Sequence, residues 1–156
     1  MILAIDPGNS ESAYVVLNDN LKPIEFGKVP NKELLYMISV VPYKIDHFVI
    51  EMVACYGMAV GKEVFDTCVW IGRFTEKIEN KAGITVKYIY RKDEKMDLCG
   101  TMKANDANIS QALRDRFGEK GTKKNPGWFF GFYKDVWQAY AVGITFHDLF
   151  LKDGTK

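Results

Sequence analysis

The amino-acid sequence predicts an α/β layer fold, a mixed five-stranded sheet with helices packed on it. Three observations lead there. Short apolar runs bounded by Gly, Pro and Asn recur along the chain, of strand length and too brief for helices. The first three runs follow one another across turns, which makes an antiparallel meander. The later runs are joined through stretches of helical periodicity, which adds parallel strands and places helices on the sheet.

Residues 2–5 (ILAI) form the first strand, closed by Asp6 and the turn Pro7-Gly8-Asn9-Ser10. Residues 13–17 form the second and residues 23–29 the third, with Asn18-Asp19-Asn20 as the turn between them. Asn31 is the expected N-cap of a helix whose apolar face is Leu34, Leu35, Ile38 and Val41, and Pro42 stops it. HFVIE, residues 47–51, is a buried strand that again ends in an acid. A long helix over residues 59–81 carries Val64, Cys68, Ile71 and Ile78 on one face and ends before Gly83. Residues 85–90 make the fifth strand. Residues 91–103 read as a charged, irregular connection, and residues 107–117 as a helix with Ile109, Leu113 and Phe117 in line. GEKGTKKNPG is a loop by composition, and residues 135–150 form an apolar last helix. Neither an internal repeat nor a linker interrupts the chain, so residues 1–156 read as one domain.

Composition narrows the class. A chain of 156 residues, 47% hydrophobic and 26% charged, can bury a core without disulfide staples. No apolar run approaches the roughly 18 residues of a membrane span, and Met1 leads into a strand rather than a signal sequence. Cys55, Cys68 and Cys99 form no CxxC pair, which fits reduced thiols in a cytoplasmic setting. Net charge is only +1, but it is polarised. Ten basic and six acidic residues lie between Lys87 and Lys124, so the remainder of the chain is net acidic.

Three acids stand at informative places. Asp6 and Glu51 each end a strand that runs from apolar to acid, and parallel neighbours bring both carboxylates to one sheet edge. Asp135 starts the last helix, where the helix dipole favours a negative charge. Each has a simpler use: Asp6 can accept hydrogen bonds from the turn amides behind it, and Asp135 can serve as a helix-end acid.

ILAIDPGNSESAYVV, FVIEMV and KDVWQAYAVGITFH, in that order, resemble the RuvC-type Holliday junction resolvases of the ribonuclease-H-like superfamily. The first is similar to that family's opening strand, I-x-G-I-D-P-G-x-x-x-x-G-[YW]-x-V, the second to its strand ending in Glu, and the third to its D-A-x-D-A-x-A-x-A helix. The motifs span nearly the whole chain, and its short form looks more like phage-encoded members. The resemblance implies a ribonuclease-H-like sheet with helices on both faces. It implies a metal-dependent endonuclease, a crossover junction endodeoxyribonuclease that hydrolyses phosphodiesters in branched DNA during recombination and repair. Asp6, Glu51 and Asp135 would be the catalytic and metal-binding acids, with Mg²⁺ (or Mn²⁺) as cofactor, two ions per site. Hard cations take oxygen ligands, and two of them about 3.5–4 Å apart can clamp an in-line displacement.

The chain departs from the pattern twice. Three residues after the first acid of the last helix the family carries a second acid, or His; here it is Gln138. Positions i and i+3 share a helix face, so Gln138 is expected in the metal site as a neutral ligand, with weaker occupancy of one ion and a preference for Mn²⁺. The family's basic loop, K-x-x-x-x-G-x-x-x-x-x-K, is matched by Lys95 and Gly100, but its second lysine falls on Asp106 and Lys103 would have to substitute. Arg91, Lys92, Lys95, Lys103, Lys123 and Lys124 are the expected DNA-binding cations. Tyr56 lies near where the family places an aromatic that wedges against bases, a contact worth about 1–3 kcal/mol.

A four-way junction has two-fold symmetry, so the resemblance implies a homodimer, packed through the long helix. Two other readings stay open. One is a junction-binding protein of the same fold with weak or no cleavage, suggested by Gln138 and Asp106. The other is an ATP-binding fold of the actin and hexokinase type, since Asp6-Pro7-Gly8 also looks like a phosphate loop; that fold needs two such domains.

Overall fold

The structure is a computed structural model and describes residues 1–152. Its sheet has the strand order β3-β2-β1-β4-β5. Strands β1 (Ile2–Asp6), β2 (Glu11–Leu17) and β3 (Pro23–Pro30) form the antiparallel meander. Strands β4 (His47–Met52) and β5 (Lys87–Tyr90) extend it on the other side, β4 parallel to β1 and β5 parallel to β4. The helices are α1 (Asn31–Val40), α2 (Lys62–Ala82), α3 (Arg91–Cys99), α4 (Asp106–Phe117) and α5 (Val136–Phe146), and the last continues into a π-helical turn, His147–Leu151.

Period-two alternation divides the strands between two cores. Ile2, Ala4, Ala13, Val15, Leu17, Val49 and Ile89 point to the face covered by α5 and α4. Leu3, Ile5, Tyr14, Val16, Phe48 and Ile50 point to the face covered by α1 and α2. Helix α5 is buried along its whole length, as a helix that is apolar all round must be. It lies close on the sheet: a Cβ on Gly143 would stand 2.8 Å from Leu17 Cδ1 and 3.2 Å from Ala4 Cβ.

Four expectations are corrected. Residues 91–103 are not irregular, because residues 91–99 form α3, closed by Gly100 in the left-handed region at φ 68°. Asn31 does not cap α1. It is buried in the first turn, where its amide accepts from Ser12 Oγ (2.6 Å) and donates to the Gly8 carbonyl (2.9 Å). Helix α2 begins at Lys62 and buries Thr67, Ile71, Phe74 and Ile78 rather than a stripe through Val64 and Cys68. The spacing i, i+4, i+7, i+11 is the better helical face, and Phe74 supplies its largest apolar surface. The last helix is α-helical only to Phe146 before it widens.

One polar anchor lies in the α5 core. Tyr140 Oη accepts a hydrogen bond from Trp128 Nε1 (3.0 Å) and donates to the Leu21 carbonyl (2.9 Å). Tyr140→Phe leaves both partners unpaired and is expected to cost about 1–3 kcal/mol, a fall in Tm of about 2–4 °C per kcal/mol in a domain of this size, read by thermal unfolding.

Candidate active site

The site forms where β1, β4 and β5 end. In the β1–β4 register Ile5 lies beside Ile50, so the next position places Asp6 beside Glu51. Both share a strand face with Ala4 and Val49, the face on which α5 packs. Asp135 sits at the N-terminus of α5 on that same face. The three acids predicted from the sequence therefore lie near enough to feel one another's charge, with Asp6 and Glu51 in hydrogen-bond contact.

The turn behind Asp6 is built without its carboxylate. The Gly8 amide donates to Ser12 Oγ at 3.1 Å, and Asn31 holds both Ser12 and the Gly8 carbonyl. A Cβ on Gly8 would stand 2.2 Å from the Glu11 carbonyl oxygen, so only glycine fits. Asp135 likewise makes no side-chain cap on α5; its Oδ2 accepts from Lys28 Nζ at 2.6 Å. Neither acid is used up in the simpler role open to it.

Crowding is visible in their protonation. Burial holds the Asp6 carboxyl well above the usual range, and the neighbouring charges of Glu51, Asp135 and Glu94 push it further. Burial also raises Glu51, against the pull of Arg91 and of its hydrogen bond with Asp6. Among the described residues no group of three His, Cys, Asp or Glu side chains closes to a ready-made metal cage. The donor set is nevertheless all carboxylate oxygen and short of positive charge, which fits a hard divalent cation.

Two participants escaped sequence reasoning. Lys28, on β3, pairs with Asp135, and the Tyr133 hydroxyl accepts from its backbone amide at 3.0 Å. Glu94, in the first turn of α3, is 0% exposed, and burial and Glu51 push its carboxyl up to about 9 despite Arg91. Helix α3 was hidden because its inward residues, Arg91, Glu94 and Leu98, leave almost no apolar stripe. Gly100 as a helix stop and the acids of the first turn were the available signals.

Gln138 is buried beside these acids, and its Oε1 accepts from Arg91 Nη1. Arg91, expected among the DNA-binding cations, is thus engaged with the acidic centre. Its Nη1 also reaches Glu94 Oε2 at 2.7 Å, and its Nη2 reaches Asp106. The other expected DNA contacts lie elsewhere. Lys92 is exposed with its ammonium 5.9 Å above the Tyr90 ring, Lys95 is half-buried on α3, and Lys103 lies in the exposed loop after it. Lys123 and Lys124 are exposed at the tip of a loop closed by a bridge between Gly121 and Pro126. Tyr56 is 57% exposed at φ 47°. Among the described residues no hydrogen bond or ion pair ties Lys95, Lys103, Lys123, Lys124 or Tyr56 to the acids.

Because Asp6, Glu51 and Glu94 all titrate above their ordinary values, the native chain holds more protons than the unfolded chain from about pH 4 upward. Stability from these groups is therefore lost as pH rises through that range. Asp6→Asn is expected to raise the Tm of the metal-free protein more at pH 8 than at pH 5. A divalent ion at about tenfold its Kd should stabilise the wild type by about 1.4 kcal/mol, and the variant far less. Thermal unfolding in EDTA and in Mn²⁺ checks both.

No protein-family model matches the chain, and no curated protein matches it. Solved structures do. Thermus thermophilus RuvC in complex with a Holliday junction substrate superposes with a TM-score of 0.72 at 16% identity, covering 99% of this chain and 96% of that one. A second T. thermophilus RuvC structure gives 0.68 at 17%, with the same coverage. No helix among the described residues is long and apolar enough to cross a membrane. The mixed sheet, its order and its near-complete superposition show that the chain has the RuvC-type, ribonuclease-H-like fold.

Proposed function

We propose that this chain is a divalent-metal-dependent endonuclease that cleaves branched DNA, with the four-way junction as substrate. The observation that carries the reading is the proximity of Asp6, Glu51 and Asp135 on one face of the sheet edge of a RuvC-type fold. T. thermophilus RuvC bound to a Holliday junction supports the substrate class.

Asp6, Glu51 and Asp135 would hold Mg²⁺ or Mn²⁺. Such an ion polarises the phosphoryl group and activates water. Asp6 is fixed by the turn that Ser12 and Asn31 lock, and Glu51 by the parallel register, so neither has to be ordered on binding. Asp135, paired with Lys28 at 2.6 Å, would have to give up that partner to hold an ion, and the Lys28 ammonium would then be available to a phosphate. The sequence resemblance implies two ions, and Gln138, expected as a neutral ligand to one of them, has its amide oxygen engaged by Arg91.

Lys92, Lys95, Lys103, Lys123 and Lys124 would track the backbone, with Tyr56 able to stack on an unpaired base. A homodimer fits a symmetric junction, and α2 offers a surface for it, with Phe65 and Val69 exposed by 60% and 61%. Three free cysteines fit a reducing, cytoplasmic setting. Arg91 on Gln138 also favours a second reading, junction binding with little or no cleavage.

Labelled four-way junction DNA in Mg²⁺ or Mn²⁺ should receive paired nicks across the junction, absent with Asp6→Asn. Junction-selective binding without nicks in either metal would move the assignment to the binding protein. Replacing Lys123 and Lys124 together by Ala should reduce the slope of log affinity against log salt by about 2.

A further inference from the structure

The two positions at which this chain departs from the RuvC pattern both bond to one side chain. Arg91 Nη1 donates to Gln138 Oε1, where the family has an acid, and Nη2 donates to Asp106 Oδ1, where it has a lysine. The same Nη1 donates to Glu94 Oε2 at 2.7 Å. Glu94 is 0% exposed, and its other oxygen, Oε1, has no hydrogen-bond partner. A carboxyl buried in this way depends on the hydrogen bond it makes, and the guanidinium makes it with a donor that deprotonation cannot remove.

We propose that Arg91 occupies the place of a second divalent ion, so that the centre takes a single ion on Asp6, Glu51 and Asp135. This rests on the metal-centre reading above. An ion ligated by Gln138 would have to expel Arg91 from the amide oxygen and leave Glu94 buried without its partner. Gln138 suits the guanidinium because its oxygen accepts without adding charge to an already crowded set of acids. Asp106 suits it because a lysine there would stand against a like charge. The two departures are thus the seats of one built-in cation, and Glu94 is its positioning residue.

The count of bound Mn²⁺ tests this, by calorimetric titration and by electron paramagnetic resonance, which separates an isolated ion from a spin-coupled pair. The wild type is expected to bind one isolated Mn²⁺ per chain. The double variant Arg91→Ala, Gln138→Asp is expected to bind two, coupled. A coupled pair in the wild type would overturn the proposal and leave the metal-centre reading standing. One ion in both proteins would also overturn it, since Arg91 would not be what excludes the second. No bound ion in the wild type would overturn the metal-centre reading and this proposal with it. Should the double variant fail to fold, the wild-type count still decides between one ion and two.

Discussion

The parallel pairing of β1 with β4 is the constraint from which the rest of the site follows. It sets Asp6 beside Glu51 and, through the two-residue period of strands, turns both toward α5. A slip of one residue would send Glu51 to the α1–α2 face, where Phe48 and Ile50 are packed. The register is therefore held by the apolar residues of both cores, and the carboxylates are carried to their places by it. Helix α5 completes the arrangement because its tight seat over Ala4 and Leu17 fixes where its N-terminus, and so Asp135, lies.

Bringing acids together in this way is unfavourable until positive charge arrives. The chain supplies part of it from two directions. Lys28 reaches Asp135 from the edge strand β3, and Arg91 reaches in from the start of α3. These cations differ in kind. Lys28 is a flexible point charge in a pair with Asp135 that is 47% exposed, which a divalent ion can displace. Arg91 is forked across Glu94, Gln138 and Asp106, and moving it would strip the buried Glu94 carboxyl of the hydrogen bond it makes.

What could be read in the sequence was whatever leaves a period. The five strands, the helices on both faces and the three acids at element ends all carry apolar runs with clear bounds. Asp6, Glu51 and Asp135 were legible because each closes or opens such a run. Helix α3 was not, because its inward face is Arg91 and Glu94, polar residues at positions where periodicity looks for apolar ones. Lys28 was hidden for a different reason: it lies 107 residues from Asp135 in the chain, and no local pattern joins them. Asn31 was read as a cap from its place before a helix, but its amide is used across the fold to hold the turn after Asp6.

The central claim is that the acids at the ends of β1 and β4 and the start of α5 form a cation site. Anomalous diffraction at the manganese edge, from crystals grown with Mn²⁺, tests it most directly. The account predicts a peak within ligand distance of Asp6, Glu51 and Asp135, with Lys28 withdrawn from Asp135. Well-ordered carboxylates with no peak among them, at Mn²⁺ concentrations that support cleavage by related nucleases, would contradict it.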